Sequence, residues 1–337
     1  MKNIKFIGHI ETISPVSVSV PNHTSMPKNT HGAYYIPSGS IRGMLRSMAT
    51  YSICKILKDK LNVELPVDVI YMLQNGADTG RELKLGGGYE TLAKNLPIRL
   101  ANPHISNFGN FATAGKVKMG NAYCDPNINP ITQYGNGSRN HPFNRNPDLL
   151  NFVKPSEIDY LKDIMQADAL TSMETAEYKQ QEAKLKSSLR TADNDEKKAI
   201  FSQLEEIEAT IKAIRSKRAG SSETILFALP GFDAIDLGHT LSHRFTITNA
   251  SELELNYLLW VFYKASSFFR VGGHQNIGCG EISAHWTITE TSLDNPTPKK
   301  LGELIMNDDG FQLTGINFDP VAIEDAIING TFDFTAY

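Results

Sequence analysis

The sequence predicts an α+β fold carrying an inserted helical hairpin, and three observations support that reading. Apolar residues alternate near the start (Ile4, Phe6, Ile10, then Val16, Val18, Val20) and again over Glu281–Thr289, as in half-buried strands. Two helical segments follow strand-like runs, one after Pro37 and one from Leu253. Between them, residues 156–218 contain no Gly or Pro and are dominated by Glu, Lys, Gln and Ala. A chain of 337 residues with 41% hydrophobic content can bury one large core or two modest ones.

Residues 3–20 read as one or two strands. Residues 21–33 form a polar loop holding His23 and His31 and no Asp or Glu. Tyr34-Tyr35-Ile36 is a short extended run that Pro37 stops, and the spacing predicts a helix over 37–57. On a helical wheel Ile41, Met44, Leu45 and Met48 share one face, while Arg42 and Arg46, four apart, share another. Ser38 or Ser40 is placed to act as N-cap. First-turn amides, the positive dipole end, hydroxyls and two guanidinium groups then converge on one spot, which suits phosphate. The same residues also suit an ordinary amphipathic helix with two solvated arginines. Residues 58–100 are mixed, with a flexible Gly86-Gly87-Gly88 and a strand-like Leu96–Leu100.

Residues 101–155 are rich in Asn, Gly, Pro, aromatics and bases, among them Phe108, Phe111, Lys116, Lys118, Tyr123, Tyr134, Arg139, Phe143 and Arg145. Long and non-periodic, they read as binding loops or extended hairpins, or else as a packed irregular subdomain. Aromatics interleaved with Lys and Arg suit splayed bases and their phosphates. Within 156–218, Ile200, Leu204, Ile207, Ile211 and Ile214 keep the four-three spacing of a coiled-coil seam. The break at Thr191–Asp195 makes this an antiparallel helical hairpin, a prop or a partner surface without chemistry of its own.

Strands resume at Glu223–Leu229 and Leu241–Thr248. Ser251-Glu252-Leu253-Glu254 is a capping box. The helix after it, Leu253–Ser266, is apolar nearly all round and should be the buried central one. It runs into a glycine-rich loop, Val271-Gly272-Gly273-His274-Gln275-Asn276-Ile277-Gly278-Cys279-Gly280. Such a loop lets backbone approach a ligand closely, with His274, Gln275 and Asn276 as polar contacts, or it is a plain tight turn. The acidic tail after 290 predicts a short helix at Asp319-Pro320.

Net charge is −4, but it is segregated: residues 1–155 balance at +8, 156–220 at −2 and 221–337 at −10. One surface then suits a polyanion and another a basic partner surface, unless the charges intermix in three dimensions. Cys54, Cys124 and Cys279 are isolated, against a disulfide framework or a cysteine zinc site. No apolar run reaches a membrane span and Met1–Phe6 lacks a secretion signal, so a cytoplasmic protein is expected, with no membrane partner.

Several chemistries fail on their spacing. Gly273 and Gly278 have P-loop spacing, but Cys279-Gly280 stands where Lys-Ser/Thr is needed and the order is helix, glycines, strand; a dinucleotide fold fails likewise. His239 and His243 have ligand spacing only on a helix, and their segment reads as a strand. No nucleophile elbow is present. Acid–base work falls to His23, His31, Tyr34 or Tyr35, which nothing in the spacing requires. No cofactor, metal site or catalytic residue is expected.

Three features together resemble one family. Ile36-Pro37-Ser38-Gly39-Ser40-Ile41-Arg42-Gly43-Met44-Leu45-Arg46 resembles the "IPGSSLKGxLR" signature of the RAMP superfamily of CRISPR-associated proteins. Asn107-Phe108-Gly109 followed by Gly115-Lys116-Val117-Lys118-Met119 is similar to its "FG…G.v.f.d" segment, and Val271–Gly280 to its C-terminal glycine loop. The resemblance implies a ferredoxin-like (RRM-like) palm with finger and thumb insertions. On that plan residues 1–100 are the first part of the palm, 101–155 a basic aromatic finger/thumb insertion, 156–220 the helical hairpin, 221–290 the second part of the palm, and 291–337 an acidic tail. The thumb falls within 125–155.

The resemblance also implies a non-catalytic guide-RNA (crRNA) backbone subunit of a class 1 effector complex, most like the type IV one. Its partners are the guide, target DNA or RNA, further copies head-to-tail, and other effector subunits. Ser38, Ser40, Arg42 and Arg46 then hold phosphates beside Gly272, Gly273, His274, Gln275, Asn276 and Gly278. Lys116, Lys118, Arg139 and Arg145 of the basic insertion join them in the RNA-binding set. Type III relatives cut target RNA with an Asp in the loop before the first helix, and 21–33 has no carboxylate. The competing expectation is a metal-independent RNA-processing endoribonuclease of the same superfamily, using His31 or Tyr34.

Overall fold

A computed structural model describes residues 2–18, 26–76, 96–111, 113–135, 137–138, 170, 173–182, 184–186, 188, 194–216, 228–229 and 231–336. These divide into two compact units, one of residues 1–134 with 232–337 and one of residues 135–231.

The first unit is built on an eight-stranded antiparallel sheet. Its strands are β1 (Lys2–Thr12), β2 (Tyr35–Ile36), β3 (Val117–Met119), β4 (Ala122–Tyr123), β9 (Thr240–Thr248), β10 (Ile282–Ser292), β11 (Lys299–Asn307) and β12 (Gly310–Thr314). The spatial order is β12-β11-β10-β1-β9-β4-β2, with β3 also on β9. Its named helices are α1 (Ser38–Leu61), α2 (Val67–Asn75), α3 (Pro103–Phe108), α5 (Glu252–Ala265) and α6 (Pro320–Ile328); α4 (Asn194–Ser216) belongs to the second unit. Read along the chain, β1-α1-β3/β4-β9-α5-β10 is a βαββαβ unit with β1 between β10 and β9 in the sheet. That is the ferredoxin-like palm, extended at one edge by β11 and β12.

Alternation in the sequence sets which face is buried. Phe6 lies opposite Phe245 in the ladder, with stacked rings 4.3 Å apart. Ile4, Phe6, Ile10, Leu241, Phe245, Ile247, Ala284, Trp286, Ile288, Leu304 and Met306 point to one side and are buried. α1 and α5 pack together under them. α1 contributes Ile41, Leu45, Ala49, Ile53 and Leu57 at every fourth position, and α5 is buried continuously from Tyr257 to Phe262. The opposite side carries Lys5, Ile7, His9, Ser242, Arg244 and His285 and is open.

The capping box at Ser251 and Glu254 forms, and Asp319 caps α6 with Pro320 at its first position. Residues 96–101 are helical rather than a strand. Asn102 N–H closes an i to i−4 bond on Ile98, and the Asn102 side chain then caps α3 through Ile105 N–H. Leu96, Ile98 and Leu100 alternate as in a strand, but three apolar positions are too few to separate period 2 from period 3.6. The tail holds two strands besides its helix, since Leu304 and Met306 find an apolar strand edge to extend.

In the first unit the chain leaves at β5 (Ile131–Tyr134) and returns at β8 (Phe232–Ile235), which pair antiparallel with Tyr134 opposite Phe232. In the second unit β6 (Gly137–Ser138) pairs with β7 (Ala228–Leu229). Its helix α4 (Asn194–Ser216) buries Leu204 and Ile211 and half-buries Ile200, Ile207 and Ile214, the seam that the sequence predicts. Residues 173–182 are also helical, and Lys186 beyond them is within electrostatic reach of Glu208 on α4. His23, Gly86–Gly88, Arg139, Phe143, Arg145 and most of the proposed thumb span lie outside the described residues.

Candidate nucleic-acid interface

The start of α1 differs from the sequence expectation in how it is capped. Pro37 occupies the N-cap position with extended φ −60 and ψ 140, and no side chain caps the helix there. Neither Ser38 nor Ser40 does so. Instead Asn121, in the β3–β4 turn, accepts the Ser38 N–H through Oδ1 at 2.8 Å and donates through Nδ2 to the Tyr123 hydroxyl at 3.0 Å. The cap therefore comes from 83 residues away, which no local signature announces.

Two hollows flank the first two turns of α1. One, of about 350 Å³, is lined by Val18, Gly39, Ser40, Gly43, Met44, Gly272, Gly273 and Gln275, so the helix start and the glycine loop face each other. The other, of about 470 Å³, is lined by Gly39, Arg42, Gly43 and Arg46, by Gln74–Gly76 at the end of α2, and by Phe108–Phe111 from the last residue of α3 onward. Gly39 and Gly43 belong to both, and a Cβ built at either meets no atom within 4 Å. The hollows thus adjoin across a bare stripe of helix backbone.

The two arginines do different work. Arg42 is half-buried beside the stripe, and desolvation lowers its pKa. Arg46 is only 6% exposed; its Nε donates to Leu73 O and its Nη2 to Met72 O at 2.7 Å, satisfying the last carbonyls of α2. Desolvation, with the neighbouring Arg42 charge, brings its pKa down to about 10. The sequence paired these side chains as equals, because spacing does not tell which of two exposed-looking positions meets a second helix.

His104 and Tyr257 complete the wall behind Arg46. His104 is fully buried with Nε2 2.8 Å from Leu73 O and Nδ1 2.9 Å from the Tyr257 hydroxyl. A carbonyl only accepts, so Nε2 carries the proton and Nδ1 accepts from Tyr257. Burial, and then the Arg46 charge, push the His104 pKa down to about 3, and the ring is neutral.

Lys116 is turned inward. Its Nζ sits 2.6 and 2.7 Å from the two oxygens of buried Glu254 and 3.1 Å from Asn249 O. Burial alone would raise the Glu254 pKa, but bonds from Lys116, Ser106 and Ser251 outweigh it and hold the carboxyl below its usual range. Lys116 is therefore a fastening between β3 and the capping box of α5. Lys118 is exposed, with Nζ 2.8 Å from Gly115 O, on the open side of the sheet.

In the glycine loop, Gly272 (φ +89) has Ser17 O 2.3 Å from where a Cβ would stand, and Gly273 N–H donates to that same Ser17 O at 2.8 Å. The chain's own backbone therefore requires glycine at 272, where the sequence suggested a ligand. Gln275 donates to Gly272 O at 2.9 Å and lines the hollow, whereas His274, Asn276 and Gly278 are exposed outside it. Of His239 and His243, the one on β9 is occupied: His243 Nε2–H donates to Gly120 O at 3.2 Å and its Nδ1 accepts from Trp286 at 3.1 Å. Tyr34 lies under the Lys28 ammonium at 4.8 Å, and Tyr35 pairs with Tyr123 across the β2–β4 edge.

The sequence profile of the RAMP superfamily matches residues 9–283, a span that includes α1, both hollows and the glycine loop. The chain belongs to the RAMP superfamily. As a RAMP it is a CRISPR-associated RNA-binding protein. No curated protein matches its sequence. Among solved structures it is similar to Csc2 from Thermofilum pendens, at 8% identity and a TM-score of 0.34, over 86% of this chain and 67% of that one. Among the described residues of this RAMP, no helix is long and apolar enough to cross a membrane. Sequence reasoning missed Asn121, Gln74–Gly76 and Asn110 at the site. The Gly39-x-x-x-Gly43 spacing was the one visible sign of an open stripe.

Proposed function

We propose that this RAMP is a non-catalytic backbone subunit that binds guide RNA in a multi-subunit CRISPR effector of type IV-like organisation. One observation carries the reading: the two hollows meet across Gly39 and Gly43, where the helix backbone is uncovered and Arg42 stands alongside. A ribose-phosphate strand crossing there meets the positive end of α1, the Arg42 guanidinium and the Ser40 hydroxyl, with the glycine loop opposite. Contacts of that kind follow backbone shape and are indifferent to base sequence, as a scaffold for any guide requires. The loop 21–33 contains no Asp or Glu, which supports a strand being held without metal-assisted cleavage. Charge supports assembly too, because a basic first half and an acidic last third suit head-to-tail contacts between copies and with other subunits, presenting the guide to target DNA or RNA.

The test is binding of the whole chain to unrelated single-stranded RNAs over a range of salt concentrations. Arg42→Ala is expected to weaken every RNA alike and to reduce the slope of log affinity on log salt by about 1. Equal affinity and slope in the variant, or cleavage of the RNA in EDTA, overturns the reading.

A further inference from the structure

Beside the hollow, the loop breaks its own pattern. It uses glycine at three left-handed positions, 272, 278 and 280, but His274 also sits in that region at φ +58 and ψ 22. A side chain there carries a steric cost that glycine avoids. What the position gains is a ring: the His274 imidazole lies flat on Phe232, centroids 3.8 Å apart and planes within 10°. Phe232 is stacked in turn with Tyr134 across the β5–β8 pair, at 6.2 Å and 26°. Asp236 anchors that strand pair by accepting from the Tyr134 hydroxyl, from Thr132 Oγ1 at 2.9 Å and from Leu237 N–H at 2.8 Å. Among the described residues no other aromatic ring meets His274, and the residue is exposed. One face of the imidazole is thus backed by a pinned aromatic pair, and its immediate chain neighbours Gly273 and Gln275 both line the α1 hollow.

We propose that His274, backed by Phe232, is a stacking platform for one nucleobase of the strand held at the hollow. This deepens the guide-RNA reading and rests on it. A π face accepts any of the four bases, so the platform holds a base without selecting it. The backing ring fixes the imidazole before binding, which lowers the ordering cost when a base arrives.

Three full-length variants test it: His274→Gly, which removes the ring and relaxes the backbone; His274→Tyr, which keeps a ring; and Phe232→Leu. The readouts are affinity for single-stranded RNA and fluorescence of 2-aminopurine placed in turn along the oligonucleotide. The parent chain should quench the probe at a defined position. His274→Gly should abolish that quenching and weaken binding about 5- to 100-fold, His274→Tyr should retain both, and Phe232→Leu should fall between. Binding and quenching unchanged in His274→Gly overturn the platform and leave RNA binding standing, as does a tyrosine variant no better than the glycine one. A parent chain that binds no RNA overturns the platform and the guide-RNA reading together.

Discussion

Arg46 and His104 donate to one oxygen, the carbonyl of Leu73: the guanidinium through Nε and the imidazole through Nε2 at 2.8 Å. α1, the end of α2 and α3 meet at that atom, and the Tyr257 hydroxyl ties α5 to the same cluster. The second hollow beside α1 has Arg46 in its lining, so its shape depends on this junction.

Arg46 should therefore behave as a structural residue and Arg42 as a binding one. Arg46→Ala leaves two buried carbonyls without their charged donor and should cost about 2–3 kcal/mol, read from urea unfolding. Arg42→Ala should change stability by less than about 0.5 kcal/mol while weakening RNA binding. The opposite pattern in the two variants contradicts the assignment.

Acid should destabilise the fold through its buried histidines. Burial holds His104 at about 3 and His243 at about 4, against 6.5 when exposed. Between those values and 6.5 the unfolded chain binds more protons than the folded one, so stability is full above pH 6.5 and falls as pH drops. Near pH 5.5 each histidine should account for about 1 kcal/mol of the loss. In His104→Gln the difference in stability between pH 7.5 and 5.5 should shrink by about that amount; an undiminished difference removes His104 from the effect.

Lys116 and Glu254 make a second separation of roles. Lys116→Ala strips a buried carboxylate of its ammonium partner and should lower stability by about 1–3 kcal/mol. Its RNA affinity, measured on the folded fraction, should match that of the parent. An affinity loss with unchanged stability assigns Lys116 to RNA instead.

The bare stripe on α1 can be filled without harming the helix. Gly43 has open space around its Cβ position, so Gly43→Ala should stabilise the helix by about 0.5–1 kcal/mol. Gly43→Leu should fold equally well and bind RNA about tenfold more weakly, since its side chain stands on the stripe where the two hollows adjoin. Unimpaired binding by a folded Gly43→Leu protein excludes a strand crossing at that point.

Much of the palm was legible because its signals are local. Alternation marked β1, β9 and β10, the Ser251–Glu254 box marked the start of α5, and Asp319-Pro320 marked α6. The four-three seam of α4 is a period within one helix and needs nothing beyond the sequence. The helix at 96–101 was illegible, because the alternating Leu96, Ile98 and Leu100 are too short a pattern to tell a strand from a helical turn.

Residue order alone determined that an apolar-faced helix with a glycine-spaced, arginine-bearing start follows a strand, and that a glycine loop precedes another. It also set the charge asymmetry. Tertiary structure decided which polar groups remain for a ligand: it assigned Arg46 to carbonyls of α2, Lys116 to Glu254, the Ser38 amide to Asn121 and Gly272 to the backbone of Ser17. Each of those partners lies at least 26 residues away, and a hydrogen bond's strength depends on distance in space and not on separation in sequence.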